Sequence, residues 1–421
     1  MGVAGLREEE LKNIIEIDRN KCKGCDSCKQ FCPTDSIEGK YGTTHRINSE
    51  TCISCGQCLI NCPFGSIRDN IDPVNTVISK LKDKRITVVA TNAPSVRVAI
   101  GEEFGMAPGT LVTEKLYGAM KAAGFKVIDT NFAADNTIME EGTELVAKIR
   151  HHLLGEPSEH PLGPLPQFTS CCPAWVRFAE LNYPRLLPHL SSAKSPMMMA
   201  GPAAKTYGAR DIWQVKPENM YVVGIMPCTA KKFEASRPEF HSAAEYWRKQ
   251  GENADYPDVD TVLTTRDLAR LLKKMNIDFT AITEWSAEDN PLAQYSGAGT
   301  IFGVTGGVME AALRTASFVI TGREMENLEY EPVRGLQGVK ESEVVLKDAK
   351  TGRDIRLKVA VVHGLKENIR PVVEKVLAGN SPYHFIEVMN CPGGCINGGG
   401  QPINPMGTSW VDKYKALLPW A

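Results

Sequence analysis

Two cysteine runs of identical spacing occupy the first 70 residues. Each reads C-x2-C-x2-C-x3-C-P, once over residues 22–33 and once over residues 52–63. This spacing supplies three thiolates to one 4Fe–4S cubane and a fourth to the neighbouring cubane. Zinc is the alternative, but zinc ribbons use two separated C-x2-C pairs and no closing Cys-Pro. The runs therefore predict two clusters, one on Cys22, Cys25, Cys28 and Cys62 and the other on Cys52, Cys55, Cys58 and Cys32.

Composition limits the class of protein and its partners. The chain has 421 residues, of which 43% are hydrophobic, so it is long enough for two or three globular domains. Its net charge of −2, without a basic stripe, argues against nucleic acid as a partner. An odd count of 13 cysteines and an acidic N-terminus favour metal ligation in a reducing compartment. We expect no membrane span and a cytoplasmic location; the periplasm would require export with a signal-bearing partner.

The hydrophobic pattern divides the chain into three parts. Residues 1–70 are expected to form an α+β ferredoxin-like domain, and residues 71–84 a linker helix. Residues 85–421 alternate strand-like and helix-like patterns, which is typical of an α/β catalytic domain. The clearest strand predictions are 13–18, 86–90, 221–225, 358–362 and 385–388, and the clearest helices are 137–154 and 265–273.

The five downstream cysteines lie in three segments far apart in the sequence, at 169–175, 226–234 and 387–402. These segments resemble the three signature segments of the [FeFe]-hydrogenases. Family-like stretches also occur at 92–97, 137–141, 191–194 and 303–314, so the resemblance extends over nearly the whole chain. It implies an α/β catalytic domain of two lobes around an H-cluster, a 4Fe–4S cubane bridged to a diiron subsite with carbonyl, cyanide and azadithiolate ligands.

The resemblance also assigns residues to this cofactor. It implies that the cubane is held by Cys172, Cys228, Cys391 and Cys395, with Cys395 bridging to the diiron subsite. The matching pocket residues are Pro94, Ser95, Met226, Met389 and Lys231. A buried lysine ammonium beside an anionic cyanide would offset its own desolvation. By burial statistics alone, an exposed lysine is as good an interpretation of Lys231.

A proton route is implied by the same resemblance, through Cys171, Glu141, Ser191 and Glu144. A lone cysteine is more often a small apolar filler than a relay. On a helical wheel both glutamates lie at and beyond the edge of the apolar stripe formed by Ile138, Leu145, Val146 and Ile149. That placement suits a carboxylate chain leading outward and equally suits two solvated glutamates, so periodicity leaves the choice open.

The expected activity is reversible hydrogen oxidation and proton reduction, with H2 and protons as substrates. Electrons would pass through the two N-terminal clusters to a ferredoxin-like or cytochrome-like partner. Direct use of NAD(P) is not expected, because residues 297–303 miss the third glycine of a dinucleotide fingerprint. The alternatives are a non-catalytic iron–sulfur assembly protein, a hydrogen sensor, and a subunit of a larger complex such as a hydrogen-dependent carbon dioxide reductase.

The tail bears on subunit composition. Only 19 residues follow Pro402, whereas single-chain members of the family often carry a longer C-terminal wrap. Two-subunit members place that wrap on a separate small chain. A small-subunit partner, which could also carry an export signal, is therefore a hypothesis.

Overall fold

The computed structural model describes residues 14–283, 290–325, 333–404 and 409–417. Its N-terminal unit is built from short elements around the two cysteine runs: β1 (Ile15–Ile17), α1 (Ser27–Gln30), β2 (Ile37–Glu38), β3 (Arg46–Ile47), α2 (Gln57–Ile60) and β4 (Ile67–Asp69). Strands β1 and β4 pair antiparallel, as do β2 and β3. Helices α1 and α2 carry the third cysteine of each run, so the internal sequence repeat is also a structural repeat.

The core of this unit is small and partly made of thiols. Isoleucines from β1, β2 and β4 pack with Leu59 and with four buried cysteines, Cys28, Cys32, Cys58 and Cys62. Because cysteines take places that apolar side chains would fill, ligand binding at these thiols and folding of the unit are coupled.

The larger body contains the remaining elements. In chain order they are α3 (Val74–Lys82), β5 (Thr87–Asn92), α4 (Thr113–Ala123), β6 (Lys126–Asp129), α5 (Thr130–Leu154), β7 (Gln167–Phe168), α6 (Pro173–Asn182), α7 (Pro196–Ala203), β8 (Met220–Met226), α8 (Ala230–Ala235), α9 (Ser242–Lys249), β9 (Thr261–Thr264), α10 (Thr265–Lys274), α11 (Gly297–Ile301), α12 (Gly307–Thr321), β10 (Val339–Lys347), β11 (Asp354–His363), α13 (Leu365–Leu377), β12 (Phe385–Met389) and α14 (Ser409–Leu417).

The first lobe is a parallel four-stranded sheet in the order β6-β5-β8-β9. Its strands read as continuous apolar runs because helices cover both faces of a buried parallel sheet. Val74 and Val77 of α3 are fully buried in this core, so the predicted linker helix packs on the lobe.

The second lobe is a mixed sheet in the order β10-β11-β12-β7, with only the β10–β11 pair antiparallel. Side chains alternate along β11. Val359 and Val361 join the core under α5 and α12, whereas Ala360 and Val362 join the core under α6 and α13. Period-two alternation therefore buries this strand on both faces.

The predicted strands and helices are present, with shifted ends. The largest shift is at α5, which begins at Thr130 rather than at residue 137. The Asp129 side chain caps the helix by accepting a 2.9 Å hydrogen bond from the Asn131 N–H. No helix in the described residues is both long enough and apolar enough to cross a bilayer.

Candidate metal centre

The carboxyl ends of strands from both lobes meet at one internal cavity of about 80 Å³. The segments that follow β5, β6 and β8 in the first lobe line it, and so do those that follow β7 and β12 in the second. Crevices at the carboxyl ends of parallel strands are where α/β folds place their ligands. The predicted site residues in this lining are Pro94, Ser95, Cys171, Cys172, Met226, Cys228, Lys231, Met389, Cys391 and Cys395.

The four downstream cysteines predicted as cubane ligands lie together at this cavity. Cys172 is the N-cap residue of α6, Cys228 follows β8, and Cys391 and Cys395 follow β12. Burial raises the pKa of all four thiols, that of Cys228 to about 12, and the neighbouring cysteines raise the pKa of Cys228, Cys391 and Cys395 further. A cation that replaces the thiol protons removes this penalty, because metal binding deprotonates its thiol ligands outright.

Two further observations fit a bound metal group. Ser95 is fully buried and lines the cavity, yet its Oγ has no hydrogen-bond partner among the described residues. The rest of the lining is largely apolar, with methionine and proline side chains from both lobes. A largely apolar cavity with clustered thiols and one orphaned hydroxyl suits an iron–sulfur group with extra polar ligands.

Lys231 is buried rather than exposed, which excludes the alternative left open by the sequence. Its ammonium lies 2.7 Å from Glu234 Oε2 and donates a 3.2 Å hydrogen bond to the Cys171 carbonyl. Glu234 was not predicted from the sequence, although a spacing of three residues on one helix is a known signal for an ion pair. The pair lets a positive charge persist beside the cavity.

Cys171 and Glu141 form the inner part of the predicted proton route. Cys171 lines the cavity, and burial, followed by the nearby Glu141, raises the pKa of its thiol. Glu141 is 1% exposed, so it is not a solvated glutamate. Burial, opposed by Ser191 and the Ser170 backbone N–H and assisted by Glu144, raises the Glu141 pKa to about 8. Ser191 and the Ser170 N–H lie near this carboxyl group, but within the described ranges no donor reaches either oxygen with the distance and angle of a hydrogen bond.

Ser191 and Glu144 continue toward the surface. The Ser191 hydroxyl donates a 2.9 Å hydrogen bond to Glu144 Oε2, which also accepts from the N–H and hydroxyl of exposed Ser192. The other oxygen of Glu144 lies 2.7 Å from the ammonium of Lys148, a fully buried side chain one turn further along α5. Lys148 was not predicted from the sequence, where its local signal is the Glu-to-Lys spacing of four residues.

The N-terminal cysteines form two groups. Burial is the main cause that raises the pKa of the Cys28 thiol to about 11, and the neighbouring thiols of Cys62, Cys25 and Cys22 add to it. Burial raises the pKa of the Cys58 thiol well above its usual range, and Cys55, Cys52 and Cys32 raise it further, ahead of Cys28 from the other group. The last cysteine of each run thus lies near the first three cysteines of the other run.

Comparison with known proteins agrees with this arrangement. The family model described as the iron only hydrogenase large subunit, C-terminal domain, matches residues 86–399, and the model of a 4Fe-4S dicluster domain matches residues 14–69. The chain belongs to the iron-only hydrogenase family. This hydrogenase accordingly contains two 4Fe–4S clusters in a ferredoxin-like unit and an H-cluster in a two-lobed α/β domain.

Several relatives of the hydrogenase are informative. The periplasmic [Fe] hydrogenase large subunit of Nitratidesulfovibrio vulgaris is 47% identical over 96% of this chain and 90% of its own length. Iron hydrogenase 1 of Clostridium pasteurianum is 42% identical over 97% of this chain and 68% of its own. Cytosolic iron-sulfur assembly component 3 of Bos taurus is 30% identical over 85% of this chain and 72% of its own.

Solved structures give the same result for the hydrogenase fold. A variant of the [FeFe]-hydrogenase HydA1 from Chlamydomonas reinhardtii superposes with a TM-score of 0.69 at 37% sequence identity, over 82% of this chain and 88% of that chain. The predicted fold class, enzyme class and cofactors are therefore confirmed.

Proposed function

We propose that this hydrogenase interconverts H2 with two protons and two electrons at the cavity between its lobes, with the residue roles predicted from its sequence. The observation that carries the proposal is the meeting of Cys172, Cys228, Cys391 and Cys395 at one largely apolar cavity beside Cys171. These four cysteines would hold the cubane of the H-cluster, and Pro94, Ser95, Met226 and Met389 would enclose its diiron part. When bound, the H-cluster supplies the iron chemistry that splits and forms H2.

Protons leave and enter through the chain's own side chains. The Cys171 thiol exchanges its proton with the buried carboxyl of Glu141, whose pKa near 8 allows it both to accept and to donate near neutral pH. Ser191 passes the proton to Glu144 along their 2.9 Å hydrogen bond. Lys148 holds the outer carboxylate in place through a 2.7 Å ion pair.

Lys231 serves the site as a fixed positive charge. Glu234 compensates the ammonium within α8, so the charge can remain in a buried position that faces the cavity. A cyanide ligand at that position would add a second anionic partner, and loss of Lys231 is expected to weaken retention of the diiron subsite.

Electrons leave through the N-terminal unit to an acidic redox protein. Four exposed basic residues surround the first cysteine run: Arg19, Lys21, Lys23 and Lys40. Arg19 and Lys40 line the same surface concavity with Arg46, whose guanidinium is paired at 2.6 Å with Glu38 in the same lining. A basic face attracts acidic partners and loses this attraction with salt. The Michaelis constant for an acidic ferredoxin should rise with ionic strength, and it should also rise in Lys21→Glu. If the unmodified protein reduced a basic cytochrome faster than an acidic ferredoxin, the result would contradict this proposal.

A small second subunit is part of the proposal. The relative from Nitratidesulfovibrio vulgaris is described as a large subunit and as periplasmic. If this hydrogenase is also a large subunit, its location depends on whether the small partner carries an export signal, with the cytoplasm as the location otherwise. Purification from the native source tests whether a small subunit accompanies the chain, and fractionation into cytoplasm and periplasm tests its location. Full activity of the lone chain would count against a required partner.

Infrared spectroscopy of the protein matured with its diiron cofactor tests the main proposal. We expect carbonyl and cyanide bands that shift when argon is replaced by hydrogen. In Cys171→Ala the bands should remain while turnover is lost, because the thiol is placed in the proton route and not among the ligands. Iron without those bands after competent maturation would favour the assembly-protein alternative.

A further inference from the structure

Gln57 connects the second cysteine run directly to the catalytic cavity. It lies on α2 between Cys55 and Cys58 and is only 3% exposed. Its side-chain Nε2 donates a 3.1 Å hydrogen bond to the sulfur of Cys391 and a 2.8 Å hydrogen bond to the carbonyl oxygen of Asn397. Both N–H bonds of one amide are therefore directed at the third signature segment.

The backbone of Gln57 faces the other cluster. Its N–H lies near the thiol of Cys55 and lowers the thiol pKa against the larger raising effect of burial. Cys55 raises the pKa of Cys391, and Cys228 raises the pKa of both thiols, so these cysteines lie near one another. A single residue thus contacts sulfur ligands that the proposed function assigns to two different cubanes.

Two glycines permit this approach. A Cβ atom on Gly399 would lie 2.3 Å from the carbonyl oxygen of Cys55, and one on Gly56 would lie 2.9 Å from the Cα of Gly399. The N–H groups of Gly398 and Gly400 are occupied by the carbonyls of Cys395 and Pro227. Gly399 therefore serves backbone contact with the N-terminal unit. The sulfur of Cys391 accepts hydrogen bonds from two side-chain amides, that of Gln57 at 3.1 Å and that of the adjacent Asn390 at 3.5 Å, and Gln57 is the donor from the N-terminal unit.

We propose that Gln57 is a positioning residue that raises the reduction potential of the cubane held by Cys391, relative to the cubane held by Cys55. The proposal rests on the ligand assignments of the proposed function. An N–H donor stabilises the extra negative charge that a cluster gains on reduction, and hydrogen bonds to ligand sulfur are an established control of cluster potential. A fully buried donor acts in a low-dielectric environment, where this stabilisation is largest.

The structure offers a matched control in its own repeat. Ser27 occupies the equivalent position between Cys25 and Cys28, and its hydroxyl donates to the carbonyl of Asn61, at 3.4 Å. Ser27→Ala therefore changes the same position of the other run without touching the catalytic cavity. Gln57→Glu keeps the side-chain shape and removes the amide donor, and Gln57→Met removes it without adding charge.

The test is a redox titration followed by electron paramagnetic resonance on protein that carries its cubanes but has not been matured with the diiron cofactor. We expect the potential of the catalytic cubane to shift to more negative values in Gln57→Met, and further in Gln57→Glu at a pH where the carboxylate is ionised. Ser27→Ala should leave that potential unchanged. Iron content and melting temperature would verify that each variant is folded and loaded.

An unchanged catalytic potential in both fully loaded Gln57 variants would overturn the inference. Cys391→Ser separates this outcome from failure of the ligand assignment. If the third cubane signal survives unaltered in that variant, Cys391 is not its ligand and the assignment is wrong. If the signal is lost or altered, the assignment holds and the Gln57 result stands by itself.

Discussion

The ammonium of Lys231 lies 2.7 Å from the carboxylate of Glu234, and both side chains are almost completely buried, with exposures of 10% and 6%. Lys231 lines the cavity, and both members of the ion pair lie on α8. A buried charge is tolerated only when its partner is fixed.

Removal of that partner should therefore destabilise the protein. We expect Glu234→Gln to lower the free energy of unfolding by about 3–5 kcal/mol, because it leaves an uncompensated buried ammonium. Denaturant titration followed by circular dichroism measures the loss. Glu218→Gln is the control, since its pair with Lys216 spans 4.0 Å and is exposed, and such pairs contribute about 0–1 kcal/mol. Equal losses in the two variants would refute the argument.

Glu141 should make stability depend on pH. Its folded pKa of about 8 lies above the usual 4.5, so its contribution is fully present below pH 4.5 and is lost as the pH rises from 4.5 through 8. The melting temperature of Glu141→Gln should consequently fall less between pH 5 and pH 8 than that of the unmodified protein. Glu140→Gln, at the exposed neighbouring position, should retain the original pH profile.

Ser191 and Ser192 allow a sharp test of the proton route, because both hydroxyls donate to the same oxygen of Glu144. Ser191 is buried on the side of Glu141, whereas Ser192 is exposed. We expect Ser191→Ala to reduce hydrogen turnover by about 100- to 10,000-fold, the range for loss of a positioned proton-transfer group. Ser192→Ala should have little effect, and a comparable loss there would argue against a route through Ser191.

Substitution of the adjacent residues Cys172 and Cys171 should have different effects, loss of iron in the first case and loss of turnover alone in the second. Cys172→Ser should abolish the third cubane and with it about one third of the cubane iron, leaving the two N-terminal clusters intact. Cys171→Ser should retain all of the iron and lose turnover. Iron and sulfide analysis together with hydrogen evolution would distinguish the two, and iron loss in Cys171→Ser would assign that thiol to the metal.

Gly399→Ala should separate chemistry at the cavity from electron delivery. The added methyl group would meet the Cys55 carbonyl at 2.3 Å, so the N-terminal unit must move away. Reduction of a protein partner by hydrogen should fall, while exchange between H2 and D2O, which needs no net electron transfer, should persist. Gly101→Ala is the control, because its new methyl group meets the flexible side chain of Met106. Equal loss of both activities would indicate damage at the cavity itself.

Much of the fold could be predicted from local patterns. The runs at 221–225 and 358–362 are strands because they consist almost entirely of residues that favour buried sheets, and both lie inside longer observed strands. The start of α5 could not be predicted, since it depends on the Asp129 cap at the end of a strand. Periodicity placed Glu141 at the edge of an apolar stripe, but only packing by other elements buried it.

The sequence by itself determined the chemistry of this hydrogenase, because cysteine spacing and three short signature segments specify which thiols are available and how many clusters they can hold. Tertiary structure alone decided how those groups meet. Gln57 contacts Cys391 across 334 positions of the chain, and Lys232 joins Asp69 to Asp267 in a buried ion-pair group. Contacts of this kind arise from the packing of two separately patterned units, and no local pattern encodes them.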